Sequence, residues 1–268
     1  MTGDRRYIFD DTQHDVEFAR LRALEDIYDP ATRRCLLATG LRVGWRCLEV
    51  GAGAGSIANW LSETVGPAGH VLAVDVNTRF LSVASAENLE VRETDIRTAS
   101  VEPASIDLAH ARFVLIHVPH WAEALAAVIA AVKPGGWVAL EEPDFSSSRS
   151  QGGPSELRRA FDNVHEAVRA TFEQRGMDYA FGARLPQLLQ ESALERIVVD
   201  RDAASVAGGS PLARMMATST ALLADKYIAT GLATAEDIEQ YGRFAADPTC
   251  WATYYGTIRV AGRKPASP

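Results

Sequence analysis

Short apolar runs alternate with amphipathic stretches from about residue 42 to 142, the pattern of successive βα units. Arg46 to Val50 (RCLEV) reads as a strand that ends in a glycine cluster. Ile57, Trp60, Leu61 and Val65 then recur at helical spacing, and Gly66-Pro67 stops that helix. A second strand, His70 to Val76 (HVLAVDV), leads to a helix bearing Phe80, Leu81 and Ala84, and a third, NLEVRE, precedes Thr94-Asp95-Ile96. The fourth, IDLAHARFVL, enters a helix with Trp121, Leu125, Val128, Ile129 and Val132 on one face. Pro134-Gly135-Gly136 ends that helix, and WVALEE is the fifth strand. A parallel sheet covered by helices follows.

A low-complexity bridge, SSSRSQGGP from Ser146 to Pro154, separates this part from one of different texture. Leu157, Phe161, Val164, Val168 and Phe172 mark a long helix from Ser155 to Gly176. Leu185 to Ala193 reads as a shorter helix and ERIVVDRDAASV as a sixth strand. Gly208-Gly209-Ser210-Pro211 opens a helix with Leu212, Met215, Met216, Leu222 and Leu223; another runs around Ala235 to Ala245, and WATYYGTIRVAGRK is a final strand. The chain is thus expected to be one domain. Its core lies at about 32–145, 180–206 and 250–264, and a helical lid comes from 1–30, 151–178 and 208–248.

Composition narrows the partners. With 268 residues and 47% hydrophobic positions, the chain buries a generous core. Lys+Arg 27 against Asp+Glu 35 leaves a charge of -8 without a basic block, which argues against nucleic acid. Three scattered cysteines, Cys35, Cys47 and Cys250, suit a reducing compartment. Neither a signal peptide nor an uncharged run of the roughly 20 residues that span a bilayer is present, so the expected location is the cytoplasm, away from membranes.

The glycine cluster is where a ligand is expected. Glu49-Val50-Gly51-Ala52-Gly53-Ala54-Gly55 turns a strand into a helix, where backbone approaches a ligand closely and helix N–H groups are unpaired. Its G-x-G-x-G spacing differs from the G-x-G-x-x-G that cradles a pyrophosphate, and Glu49 would repel a pyrophosphate but attract an ammonium. Asp75 closes the second strand, where an acceptor pair takes both hydroxyls of a ribose; Asp95 closes the third, where a carboxylate meets an adenine amino group. Acids at three strand ends along one crevice suit a cationic adenosine.

Taken in order, LEVGAGAGSIANWL, VLAVDV, TDI, IDLAHARFVLIHVP and VKPGGWVALEE resemble the motifs of class I S-adenosylmethionine-dependent methyltransferases, over roughly Trp45 to Glu142. FGARLPQLLQESAL followed by IVV, and the ending AGRKP, resemble the small-molecule methyltransferases related to ubiquinone and menaquinone biosynthesis, many of whose relatives act in bacterial secondary metabolism. The resemblance implies a Rossmann-like α/β fold with a seven-stranded, mostly parallel sheet, helices on both faces and an inserted helical lid. It implies that Gly51, Ala52 and Gly53 surround the methionine portion and ribose, with Glu49 ordering the loop and the ammonium end. By the same matching Asp75 holds the ribose hydroxyls, Val76 packs on the adenine, Asp95 and Ile96 frame the base, and Ala111 offers its carbonyl near the ammonium. Tyr7 would close over S-adenosylmethionine as a lid residue.

A sulfonium methyl is already electrophilic, so displacement chiefly needs a nucleophile held close, aligned and dry. His117, in VLIHVPHW after the fourth strand, is the candidate base or orienter of the acceptor, against a helix-capping role. Candidates for the acceptor pocket are His14, Arg112, His165, Met215 and Met216. Each has an ordinary alternative, such as an ion pair for Arg112 or core packing for the methionines. His110 reads as a core histidine. No metal is expected, since HExxH, CxxC and carboxylate clusters are missing. The expected activity is methylation of O, N or C on a small, fairly apolar acceptor, and a homodimer is compatible with the sequence. The competing readings are a cofactor-binding regulator without turnover and a nicotinamide-dependent oxidoreductase, the latter opposed by the glycine spacing.

Overall fold

A computed structural model describes residues 9, 14–81, 86–118 and 120–266. In chain order the elements are α1 (His14–Ala38), β1 (Arg46–Val50), α2 (Ser56–Val65), β2 (His70–Asp75), β3 (Leu89–Glu93), β4 (Ile106–Arg112), α3 (Trp121–Ala131) and β5 (Val132–Asp144). There follow β6 (Arg149–Gly152), α4 (Ser155–Gln174), α5 (Phe181–Glu191), β7 (Glu195–Asp202), β8 (Val206–Ala207), α6 (Pro211–Leu222), α7 (Ala224–Ile228), α8 (Ala235–Ala246), β9 (Trp251–Thr253) and β10 (Gly256–Arg263). They fall into two compact units, one of residues 28–142, 182–201 and 258–268, the other of 1–27, 143–181 and 202–257.

The first unit is built on a seven-stranded sheet of order β3-β2-β1-β4-β5-β10-β7. The pairs β1–β2, β1–β4, β2–β3 and β4–β5 are parallel. Its central strands read as nearly unbroken apolar runs because helices cover both faces of a parallel sheet; Cys47, Leu48, Val71, Ala73, Leu108 and Ala109 are all buried. On one face Leu36 and Leu41 from α1 and its exit meet Ile57, Leu61 and Val65 of α2 over Cys47, Val71 and Leu108. The chain order 1-4 at the sheet centre makes a crevice at the C-terminal ends of β1 and β4, where ligands of open α/β sheets bind.

The second unit joins a small sheet, β6-β9-β8, to helices α4, α6, α7 and α8. Phe161 of α4 is its aromatic hub, with Tyr241, Phe244 and Tyr254 at ring distances of 5.5, 5.0 and 5.4 Å. Ser210 caps α6 through the Ala213 N–H, and Thr234 with Asp237 forms a reciprocal capping box on α8.

Several elements differ from the sequence expectation. The stretch 1–30, expected to give lid helix, holds the start of the 25-residue α1, which runs on to Ala38; it carries Pro30 and buries Glu17, Arg20, Glu25, Asp29 and Thr32, which erases the apolar stripe. After β2 the described residues hold one 3-10 turn, Thr78–Phe80; residues 82–85, with Ala84 of the expected helix, lie outside the described residues. Val132 belongs to β5, where it pairs with Ile106, so α3 ends before the Pro134-Gly135-Gly136 signal. The polar bridge after Glu142 contains β6, whose Arg149 and Ser150 pair with Thr253 and Ala252; a polar edge strand has no apolar alternation to betray it. The final strand is two strands in two different sheets, β9 and β10. Among the described residues no helix is long and apolar enough to cross a membrane.

Candidate functional site

Where β1 turns into α2, the Gly51 N–H donates to the Val74 carbonyl at 2.8 Å, and Gly51, Gly53 and Gly55 all take positive φ, 69°, 58° and 99°. At Gly51 the need is steric as well as conformational: a Cβ there would overlap the Val114 Cγ2 methyl. Glycine therefore lets the segment after β4 lie directly on the loop.

Asp75 ends β2 beside this loop. Its Oδ2 accepts from the Gly53 N–H at 3.0 Å and its Oδ1 from the Asn77 N–H at 3.0 Å, leaving lone pairs on both oxygens for further donors. Burial raises its pKa, against the pull of those N–H groups. Val76, next in the chain, is 63% exposed, which leaves its side chain open to a flat ligand. Asp95 is clasped by Arg97, whose guanidinium donates to both carboxylate oxygens at 2.5 to 3.0 Å and lowers its pKa; Ile96 beside it is buried.

Three of the expected site residues are engaged within the fold. Glu49 is buried in register with His110, whose Nδ1 lies 2.7 Å from its Oε2. His110 Nε2 in turn lies 3.5 Å from Glu141, and the two carboxylates overcome burial to push the imidazole up to about 9. Arg259 beside Glu141 and Asp200 beside Arg259 extend the alternation of charge to five strands, β1, β4, β5, β10 and β7. Ala111 is buried between Val50 and Leu140 inside the ladder, and the sheet edge begins beyond it, at Phe113 and Val114. Arg112 is committed to α1, its Nη1 donating to Thr32 Oγ1 at 2.8 Å and its Nη2 to Asp29 Oδ1 at 3.0 Å. Ser56 at the start of α2 donates to the same Asp29 oxygen at 3.1 Å, so one carboxylate ties α1 to both β4 and the glycine-loop helix.

His117 ends a 3-10 turn, Leu115–His117, and is half-buried. Glu142, buried near the end of β5, holds that turn: its Oε1 accepts from the Val114 N–H at 3.1 Å and the Leu115 N–H at 2.7 Å, and burial raises its pKa to about 8. Glu142 and Asp29 were missed from sequence. Glu142 carried a signal, two adjacent acids at the end of an apolar strand; Asp29 carried none, because it lies on a helix without an apolar stripe.

The remaining acceptor candidates each have a local setting of their own. His14 is exposed at the start of α1, 3.2 Å from Asp15. His165 is buried 4.2 Å from the Phe161 ring, with neither ring nitrogen bonded among the described residues, and desolvation takes its pKa down to about 3. Met215 and Met216 are buried on α6, with Ser219 Oγ 3.5 Å from the Met215 sulfur, which is core packing. Tyr7 lies outside the described residues. Among the described residues no cluster of three or more His, Cys, Asp or Glu could hold a metal.

A family model described as "Methyltransferase domain" matches residues 17–206. A ubiquinone/menaquinone biosynthesis C-methyltransferase of Brucella anthropi is 35% identical over 108 residues, 37% of this chain and 41% of that protein. A methyltransferase of Strobilurus tenacellus is 28% identical over 198 residues, 70% of this chain and 66% of that protein. The first curated relatives are thus matched over about two fifths of their length. Among solved structures, a Haemonchus contortus phosphoethanolamine N-methyltransferase with phosphomonomethylethanolamine and S-adenosylhomocysteine superposes with a TM-score of 0.61 at 17% identity, covering 98% of this chain and 60% of that one. At that identity the likeness is one of fold.

Proposed function

The chain belongs to the methyltransferase-domain family, and from that premise we propose that it transfers a methyl group from S-adenosylmethionine to oxygen, nitrogen or carbon of a small, fairly apolar acceptor. The observation that carries this reading is the join between Asp75 and the glycine loop: a carboxylate anchored by the Gly53 and Asn77 amides, with lone pairs to spare, beside an exposed Val76. That set fits a ribose and the flat base attached to it. The Cβ-free approach at Gly51 fits a ligand chain running close to backbone.

When bound, S-adenosylmethionine supplies a methyl on a positively charged sulfur, so the protein's task is placement and exclusion of water. Asp75 holds hydroxyls, and Gly51 to Gly53 let the ligand approach the backbone closely. Glu49 contributes indirectly, through its buried contact with His110. His117, on the turn that Glu142 fixes, takes the proton from an acidic acceptor or orients it.

Calorimetric titration with S-adenosylhomocysteine tests the donor site, and radiolabelled methyl transfer to phenols, amines and terpenoids tests the reaction. Asp75→Asn is expected to weaken donor binding by about tenfold or more, the effect of one charge-assisted hydrogen bond. Binding without transfer to any acceptor supports a regulator in place of an enzyme. No binding at all, by a folded protein, overturns the whole reading.

A further inference from the structure

We propose that this chain has a second ligand site, for a small polyanion bearing phosphate or carboxylate groups, at the end of the sheet opposite the glycine loop. A cavity of about 330 Å3 opens there. It is lined by the starts of the central strands, Asp107 of β4 and Lys133 of β5 among them, together with the exit of α1. The five residues of β1 separate it from the glycine loop by roughly 16 Å at about 3.3 Å per residue, so it is distinct from the proposed donor site.

Its lining departs from the rest of the chain in charge. The chain as a whole has more acids than bases, with a formal charge of -8. The cavity wall holds Arg42, Lys133, Arg196 and Arg263 against one acid, Asp107. That acid is already engaged on both oxygens, by Lys133 Nζ at 2.8 Å and by the Arg46 N–H at 2.8 Å. It therefore neutralises Lys133 and leaves the three arginines unbalanced.

The arginines are held but not satisfied. Arg263 donates its Nε to the Gly135 carbonyl at 2.9 Å, which fixes the guanidinium while leaving its two terminal nitrogens. Arg42 lies over the Trp45 ring at 5.6 Å, and its guanidinium makes no hydrogen bond or ion pair among the described residues. The Arg196 side chain makes none either, and its backbone sits at φ 51°, a left-handed conformation that is strained for a residue bearing a side chain. Strained backbone that aims an unpaired cation at a cavity is a common mark of a binding position. Two or more guanidinium forks around one cavity match a ligand with at least two anionic groups, each taking paired N–H donors. One small monoanion would leave charge repulsion among the arginines largely in place.

The test is calorimetric titration of the whole protein at low salt with inorganic pyrophosphate and, separately, with citrate. Either is expected to bind with a dissociation constant of about 1 mM or below. Arg42→Gln and Arg196→Gln, both at exposed positions, are each expected to weaken binding about tenfold without changing the melting temperature. Arg169→Gln on α4, a surface arginine already paired with Glu166 and Glu173, is the control and is expected to change nothing. Tighter pyrophosphate identifies a phosphate ligand and tighter citrate a carboxylate one; both support the site. No heat with either probe overturns it, and so does an Arg169→Gln loss equal to that of Arg196→Gln, which would mean diffuse attraction to any surface cation. Since S-adenosylhomocysteine binding reads the other end of the sheet, failure here leaves the donor site standing.

Discussion

Replacing Gly51 by alanine separates two costs that usually arrive together. The residue holds φ 69°, and its added methyl would overlap Val114. The left-handed backbone costs an alanine about 1–2 kcal/mol, and forcing a methyl into an occupied space costs about 1–3 kcal/mol more. Gly51→Ala is therefore expected to destabilise by about 2–5 kcal/mol, or else to displace the loop and break the Gly53–Asp75 bond. Gly44 offers an internal reference: it too is left-handed, at φ 86°, but a Cβ there meets nothing within 4 Å. Gly44→Ala should carry only the conformational cost of about 1–2 kcal/mol. Urea unfolding of both variants, with calorimetric titration of S-adenosylhomocysteine, reads the difference. The double variant Gly51→Ala with Val114→Ala should recover part of the excess, because the clashing methyl is gone. If Gly51→Ala is no more costly than Gly44→Ala and binds the nucleoside as the wild type does, close packing of the post-β4 turn on the loop has no role in the site.

His117→Ala is expected to lower methyl transfer about 10²–10⁴-fold with S-adenosylhomocysteine affinity retained; unchanged turnover on every acceptor found would remove His117 from the chemistry. Asp29→Ala strips the carboxylate from Arg112 and Ser56 and should cost about 3 kcal/mol, the lower range for a broken buried pair, by urea unfolding; a loss under half of that would show that Thr32 and water suffice. Stability should also fall as pH rises. The Glu142 carboxyl is raised from 4.5 to about 8 in the folded state, so the native form holds the proton longer and loses stability between those values. His110, raised from 6.5 to about 9, contributes stability that is complete below 6.5 and disappears as pH passes through 9. Glu142→Gln should flatten the lower part of the curve and His110→Gln the upper part, measured by denaturant midpoints across pH; slopes identical to wild type would refute both assignments.

The ionic row from Glu49 to Asp200 shows how burial changes the meaning of a motif residue. From the sequence, Glu49 is an acid beside a glycine loop, and the simplest role for it is to meet the ligand. In the fold, its strand position pairs it with His110, and desolvated charges find each other before they find a solvent-facing ligand. Arg112 follows the same logic: a guanidinium at a strand end looks available until α1 brings Asp29 and Thr32 to it.

What the sequence determined by itself is local and periodic. The spacing of apolar residues set β1, α2, β2 and α4 to within two residues, and overran β4 by three, because a strand buried on both faces and a helix with one apolar stripe leave signatures in their own few residues. The glycines after β1 announced a close backbone approach, since glycine takes positive φ without the cost a side chain brings. Tertiary structure alone decided the rest. Helix α1 is buried through ion pairs whose partners lie along its own polar positions and on β4, so its apolar period is missing. Strands β6 and β9 exist because they pair with each other across a hundred residues of chain, and the arginine-lined cavity exists because α1, β4, β5, β7 and β10 converge there. Such features are sums of contacts between distant segments, and no window along the chain contains both sides of them.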